Sequence, residues 1–154
     1  MKKISYLLSV VILAGVLAMT GCGDDDSSGP TITEQQRQFL EGNWTVNASN
    51  DVSLDGNTGT TGDWSNFAIN FQSNGNVQVS GESTEVDVFA VSNYAISGTE
   101  VNTFTVTFDD TDAVTITRAG ADNQMVMSFT RSGEEPLGGK KASISGAWIF
   151  NLTK

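Results

Sequence analysis

Histidine is absent from this chain of 154 residues, and cysteine occurs once, at Cys22. Without histidine there is no Ser-His-Asp or Cys-His nucleophile pair and no imidazole ligand for a metal ion. Two carboxylates would suffice for glycoside hydrolysis, but none of the 18 acidic residues lies in a catalytic motif. We therefore expect a protein that is not an enzyme and that uses no cofactor.

Basic residues are also scarce. The chain has 8 lysines and arginines against 18 aspartates and glutamates, which gives a formal net charge of −10. Nucleic acids and anionic membrane surfaces repel a protein of this charge. Nucleic acid is therefore excluded as an expected partner.

Long apolar runs are absent except near the N-terminus. There, Lys2 and Lys3 precede an uncharged segment whose most apolar part is residues 7–19. This part is shorter than the ~20 apolar residues that a membrane-spanning helix needs. The pattern predicts a secretory signal peptide, with an uncleaved anchor as the alternative.

The end of this segment, Met19-Thr20-Gly21-Cys22, resembles the lipobox of bacterial lipoproteins. The resemblance implies that residues 1–21 are a lipoprotein signal peptide and that Cys22 is lipidated, so that the lipid holds the protein to a membrane. A free cysteine beside an ordinary cleavage site is the alternative. Cleavage removes two lysines and leaves 6 basic and 18 acidic residues, a net charge of −12.

Residues 22–33 are rich in Gly, Ser, Pro and Asp, which predicts a flexible acidic tether. Its Asp24, Asp25 and Asp26 resemble the acidic export signal of Bacteroidota-type surface lipoproteins. That resemblance implies a location on the outer membrane, lipid-anchored and facing the cell surface. The alternative is a solvated spacer with no signalling role.

The rest of the chain, residues 34–154, is predicted to form one β domain. Thr33-Glu34-Gln35-Gln36 has the spacing of a capping box and opens a short helix to Phe39 or Leu40. From Asn43 onward apolar and polar residues alternate, as in half-buried strands. We expect an all-β fold, a single antiparallel up-and-down barrel of about eight strands. The least regular stretch, residues 86–96, is compatible with two strands broken near Ser92-Asn93.

One hairpin can be predicted in detail. A two-residue turn at Asn74-Gly75 would place Phe71 opposite Gln78 and put apolar and polar side chains on one face. A three-residue loop, residues 73–75, instead places Phe71 opposite Val77 and gives Gly75 the left-handed position. We therefore expect the three-residue loop.

The alternation also predicts which side chains point into the barrel. In the first strand these are Trp44, Val46 and Ala48, and in the last they include Ile144. The candidate interior lining consists of large apolar residues: Phe67, Phe71, Phe104, Phe108, Met125, Phe129 and Phe150. Because an eight-stranded barrel is just wide enough for side chains or one small ligand, we expect a small or absent central cavity. The alternative is an aromatic-lined cavity that holds a small apolar molecule.

All three tryptophans follow a glycine by two positions, as Gly42-Asn43-Trp44, Gly62-Asp63-Trp64 and Gly146-Ala147-Trp148. Such a glycine permits close backbone approach, while the indole covers one end of the core. We interpret Trp44, Trp64 and Trp148 as barrel-closing aromatics. An aromatic platform for sugar is the alternative.

A Gly-x-Trp after a short helix resembles the first strand of lipocalin and calycin barrels. The wider pattern, from residues 42–44 through 64–67 to 145–152, resembles the lipocalin-like lipoproteins of Bacteroidota, most of which have no assigned function. The resemblance implies a barrel in which a later arginine packs on the first tryptophan. Arg118 and Arg131 are the candidates.

Asp109, Asp110 and Asp112 concentrate carboxylates that could bind calcium. They lie between two predicted strands, where aspartate is a common turn residue. A solvated hairpin tip is the preferred interpretation, and the calcium site is a weak candidate.

The sequence therefore predicts a non-catalytic binding module on the outer membrane. Its expected partners are the membrane, through the lipid on Cys22, and a small apolar molecule, a glycan or a protein. The alternative is a structural or adhesion module with a filled core that recognises partners through its loops.

Overall fold

A computed structural model describes residues 29–58, 62–83, 86, 88–109, 112–120, 122–132 and 145–154. Several predictions fall outside these residues. They are the signal peptide, the lipidation of Cys22, the export signal at Asp24, Asp25 and Asp26, the role of Asp110 and the inward position of Ile144.

One helix, α1 (Ile32–Leu40), precedes the strands. It begins earlier than predicted, because Thr31 and not Thr33 caps it. The Thr31 hydroxyl accepts a hydrogen bond from the Glu34 N–H at 3.3 Å, and the Thr31 N–H donates to Glu34 Oε2 at 2.6 Å. The predicted box between Thr33 and Gln36 is wrong. The helix dipole favours a carboxylate such as that of Glu34 at the third helical position, whereas it does not favour a neutral amide such as that of Gln36.

The capping contact also affects an ionisation. The hydrogen bond from the Thr31 N–H is the main reason that the pKa of Glu34 lies below its ordinary value. The charged carboxylate is thus the form that the helix start favours. Two residues assigned to the tether, Ile32 and Thr33, belong to the helix.

The strands form one antiparallel sheet. Along the chain they are β1 (Gly42–Thr45), β2 (Val52–Leu54), β3 (Asn57–Thr58), β4 (Ala68–Phe71), β5 (Val77–Ser80), β6 (Tyr94–Ser97), β7 (Thr103–Phe108), β8 (Asp112–Arg118), β9 (Gln124–Arg131) and β10 (Gly146–Thr153). Eight of them follow the order β5-β4-β1-β10-β9-β8-β7-β6, and the β2–β3 hairpin attaches to β10. Apart from the β2–β3 hairpin, strands that follow one another in the chain are neighbours on this path, except β5 and β6 at its two ends, and the last strand, β10, pairs with the first, β1. The structure therefore confirms the predicted all-β fold of about eight antiparallel strands, which nearly close into a barrel.

The ring closes through a short contact between β5 and the chain just before β6. Asn76 and Asn93 form an isolated bridge. The Val77 N–H donates to Ser92 O at 2.9 Å, and the Tyr94 N–H donates to Gly75 O at 2.8 Å. Residues 86 and 88–92 form no strand, so the predicted pair of strands in residues 86–96 is reduced to β6 alone.

The hairpin between β4 and β5 has the predicted register. Phe71 lies opposite Val77, and Ile69 lies opposite Val79. Gly75 has a φ of 86°, the left-handed conformation that glycine adopts without a steric penalty. The three-residue loop is thus confirmed.

The first strand is shorter than predicted. β1 ends at Thr45, and Val46 is buried, but Ala48 is exposed instead of inward-facing. The Asp51 carboxylate accepts hydrogen bonds from the N–H groups of Asn47 and Ala48, at 3.1 and 3.0 Å. These bonds hold a tight turn that takes the chain out of the strand.

Candidate functional site

The predicted lining residues lie in the interior of the barrel. Phe67, Phe71, Phe104, Phe108, Met125 and Phe150 are buried, and Phe129 is partly buried. Five of the rings form contacts within this set: the centroids of Phe67 and Phe150 are 5.0 Å apart, those of Phe71 and Phe108 are 6.2 Å apart, and those of Phe129 and Phe150 are 6.1 Å apart. Aromatic side chains therefore occupy the space that a central ligand would need.

Phe89 completes this cluster, although it is not among the lining residues that the alternation predicts. Its ring lies 5.5 Å from the rings of Phe67, Phe129 and Phe150, and 6.3 Å from that of Phe108. Aromatic pairs at such separations stabilise a core beyond the area that they bury. Phe89 therefore links strands on several sides of the barrel, although it belongs to none of them.

Two charged side chains hold the segment that carries Phe89. Glu82 Oε1 accepts hydrogen bonds from the N–H groups of Val88 and Phe89, at 2.9 and 2.8 Å. The Arg131 guanidinium donates to the carbonyl of Val88. Side chains thus satisfy backbone groups that a strand neighbour would otherwise satisfy, which explains why the alternation fails here.

The tryptophans lie at the two ends of the barrel. Trp44 packs under α1, where its indole N–H donates to Leu40 O at 2.7 Å and its ring lies 5.1 Å from Phe39. Trp148 lies near the start of β10, at the opposite end, and its ring is 5.8 Å from that of Trp64. All three are at most 1 % exposed, so none offers an exposed platform for sugar.

The glycines of the three Gly-x-Trp motifs share a positive φ, which is 117° at Gly42, 90° at Gly62 and 145° at Gly146. A Cβ at Gly146 would lie 2.5 Å from Leu54 Cδ1, and one at Gly42 would lie 2.9 Å from Lys154 Cε. The motif therefore combines a backbone conformation that favours glycine with close approach at two of its three positions.

Lysine replaces the expected arginine on the first tryptophan. The Lys154 ammonium lies 4.9 Å from the Trp44 ring centroid and donates to Phe39 O at 2.9 Å. Arg118 instead covers Phe39, with 4.3 Å between its guanidinium carbon and the ring centroid. Neither Arg118 nor Arg131 packs on Trp44, so that prediction is wrong. Burial lowers the pKa of Lys154, and the nearby Glu41 opposes the shift.

An opening interrupts the barrel wall between β8 and β9. These strands pair from Thr115–Ser128 to Arg118–Met125, but the ladder does not continue to residues 112–114 and 129–131. Residues 112–114 pair only with β7, and residues 129–131 pair only with β10. A pocket of about 290 Å³ lies between the two separated segments.

We call this pocket the β8–β9 cleft. Its lining combines apolar side chains with charged ones at the strand ends: Val88, Phe89, Val91, Phe108, Asp112, Ala113, Val114, Phe129, Thr130 and Arg131. Concave, mostly apolar sites with a few polar groups are typical of small-molecule binding. The cleft could therefore hold the apolar part of a small molecule against Phe89 and Phe129, with a polar group near Arg131.

Two of the three aspartates of the weak calcium candidate, Asp109 and Asp112, are among the described residues. Asp109 accepts hydrogen bonds from the Ser92 N–H at 3.0 Å, the Ser92 hydroxyl at 3.0 Å and the Asn93 N–H at 2.9 Å. Asp112 lines the β8–β9 cleft. Within the described ranges no group of three acidic or thiol side chains could hold a metal ion.

The Asp109 contacts shift its ionisation. Desolvation by itself would raise the pKa of Asp109, but the hydrogen bonds from Ser92 and Asn93 together lower it below its ordinary value. Asp109 also has a φ of 44°, a conformation that aspartate tolerates better than most residues. It is therefore a turn residue that fixes the chain before β6.

Comparisons with protein families, with curated proteins and with solved structures found no match to this chain. Among the described residues, no helix has the length and apolar character needed to cross a membrane.

Proposed function

We propose that this protein is a lipid-anchored binding module of the outer membrane, of the lipocalin-like lipoprotein type, that faces the cell surface. In this proposal it binds a small amphipathic molecule in the β8–β9 cleft and catalyses no reaction. The observation that carries the proposal is the loss of pairing between residues 112–114 and 129–131, which opens a pocket over an aromatic floor.

The packing of the barrel favours the cleft, and not the centre of the barrel, as the binding site. Phe67, Phe150 and Phe89 contact one another in the interior, so a central ligand would have to displace buried rings. A ligand in the cleft would displace none of them. Arg131 and Asp112 both line the cleft, so an anionic group would be attracted where it lies closer to Arg131 than to Asp112.

The proposed location rests on the sequence. The lipobox-like Met19-Thr20-Gly21-Cys22 supports a lipid anchor, and the three aspartates that follow support surface export. Several buried acyl chains, at ~0.8 kcal/mol per CH₂, would hold the protein far more firmly than one. Mass spectrometry of the membrane fraction should find the acylated peptide that begins at Cys22, and an unmodified Cys22 would contradict the anchor.

Binding in the cleft can be tested with anilinonaphthalene sulfonate, an aromatic anion whose fluorescence rises in apolar sites. Ala113 is exposed and lines the cleft, so Ala113→Phe should cover part of its opening and weaken binding at least about tenfold, or ~1.4 kcal/mol. Ala95→Phe is the matched control, because Ala95 is exposed on β6 and does not line the cleft. Equal binding by both variants would rule out the cleft.

The filled interior also supports the rival function, a structural or adhesion module. In that case the cleft would be a packing defect without a ligand. A wild-type protein that binds no amphipathic probe, yet unfolds cooperatively, would favour this second function.

A further inference from the structure

The outer wall of the barrel carries no charge at its strand positions. In β1 and β4–β10 the residues that alternate with buried ones are Ser, Thr, Asn, Gln, Ala, Val or Ile. The chain as a whole has 18 acidic and 8 basic residues. The described charges are therefore confined to loops, to the helix and to strand ends, and a ligand on this wall would meet hydroxyl and amide groups.

One part of this wall is concave. A groove of about 720 Å³ runs along β5 and is lined by Asn43, Asn70, Gln78 and the chain at residues 91–93, among others. We call it the amide groove. Asn70 lies opposite Asn43 on one side and opposite Gln78 on the other, so three amides form a row across β1, β4 and β5.

The spacing and chemistry of the row limit what it can bind. Neighbouring strands are ~4.8 Å apart, which is close to the rise of one sugar unit in an extended glycan. Each amide offers one acceptor oxygen and two donor hydrogens, which match a sugar hydroxyl that both donates and accepts. No charged residue is among those that line the groove in the described chain, so the lining offers no ion pair to a charged ligand.

We propose that the amide groove binds a neutral oligosaccharide whose successive sugar units cross β1, β4 and β5. Asn43, Asn70 and Gln78 each donate to and accept from one sugar unit. Ser92 and Asn93 form the far wall of the groove, and Asp109 holds them in place through hydrogen bonds to their N–H groups. This site borders the β8–β9 cleft, because Val91 lines both, but none of the three amides lines the cleft.

An extended peptide added to the edge of β5 is the competing occupant. The contacts argue against it, because the Val77 N–H already bonds to Ser92 O and Asn76 already bridges to Asn93. The free backbone edge is therefore short, whereas the side-chain amides are exposed or half-buried along the whole row.

The experiment uses the full lipidated protein in detergent micelles. Hexamers of neutral glucan, mannan and galactan are tested for binding by calorimetry, with oligogalacturonate as the acidic control. We expect one neutral hexamer to bind with little dependence on salt concentration. Binding of oligogalacturonate alone, or of no hexamer, would overturn the proposal.

Variants then locate the site. Asn70→Ala and Gln78→Ala should each weaken binding of the neutral hexamer about 3- to 10-fold, the loss expected for one or two hydrogen bonds. Gln124→Ala is the matched control, because Gln124 is an exposed amide on β9 that does not line the groove.

Equal losses in all three variants would overturn the assignment, as would an unchanged affinity in Asn70→Ala and Gln78→Ala. Displacement of the hexamer by an extended neutral peptide, with Asn70→Ala leaving the peptide's own affinity unchanged, would assign the edge to strand addition instead. Fluorescence of anilinonaphthalene sulfonate in the cleft should be the same in every variant, which separates this test from that of the cleft.

Discussion

The two ends of the barrel are closed in different ways. At the α1 end, Trp44 is covered by Phe39 and Lys154, and both the indole and the ammonium bond to helix carbonyls. At the other end, Phe89 covers the core from a segment that is held by Glu82 and Arg131, beside strands that have separated. The first end is therefore covered by closely packed side chains, whereas the second end is covered by Phe89 and has an opening beside it.

This difference indicates where binding can occur without loss of the fold. Regions with few backbone hydrogen bonds open at lower free energy than paired core strands. The α1 end therefore stabilises the barrel, and the cleft end is where a ligand can be accommodated.

The largest effect is expected at the α1 end. Phe104 is buried and its ring lies 6.4 Å from Phe39. Phe104→Asp would bury an unpaired charge and should abolish folding. Thr105→Asp, one position along on the outer face, should change the free energy of unfolding by less than about 1 kcal/mol. Circular dichroism during urea unfolding checks both, and similar damage from the two would contradict the face assignment.

At the cleft end, Phe89→Ala should destabilise the fold by about 3 kcal/mol, because a buried ring is removed and a cavity is left. The same variant should gain binding of a small apolar probe such as benzene, since the Phe89 ring then no longer fills that part of the core. Phe39→Ala, at the α1 end, is the comparison. A similar gain of binding there would mean that the two ends do not differ as described.

Alternation predicts the fold because most strands have one buried and one exposed face. The registers of β4 with β5 and of β7 with β8 follow from it, as Phe71 opposite Val77 and Phe104 opposite Ile116 show. The left-handed conformation of Gly75 follows in the same way from the three-residue length of the loop.

The candidate site could not be predicted in the same way. The alternation of β8 and β9 continues through the cleft at Val114 and Phe129. Alternation indicates which face of a strand is buried but not whether two strands stay paired, so it could not predict the cleft. Phe89 could not be predicted because side-chain bonds to backbone groups fix its segment, from Glu82 seven residues away and from Arg131, which is remote in sequence. The irregularity of residues 86–96 was the only signal.

A smaller effect is expected from the cation at the α1 end. Lys154→Met retains an apolar stem but removes the contact with the Trp44 ring and the hydrogen bond to Phe39 O. The free energy of unfolding should fall by about 1–2 kcal/mol. Arg37→Met, on the exposed side of α1, should cause a smaller loss. If Arg37→Met costs as much, Lys154 has no special role in the cap.

The smallest effect is a pH dependence at the cleft end. The pKa of Asp109 is lower in the folded protein than in the unfolded chain, so its contribution to stability is present above the unfolded pKa. That contribution is lost as pH falls through the folded pKa. Asp109→Asn tolerates the same backbone conformation, so it should be less stable than wild type at pH 7, with the difference shrinking at pH 3. A difference that stays constant between these pH values would exclude the carboxylate as its cause.

Disulfide formation measures the separation of β8 and β9 most directly. In a Cys22→Ser background, Ala113→Cys with Thr130→Cys places two thiols across the cleft. Thr115→Cys with Ser128→Cys places two across the adjacent paired positions, two residues along each strand. A disulfide needs Cα atoms within about 7 Å. We predict rapid oxidation of the Thr115–Ser128 pair and little of the Ala113–Thr130 pair, and equal oxidation of both would contradict an open cleft.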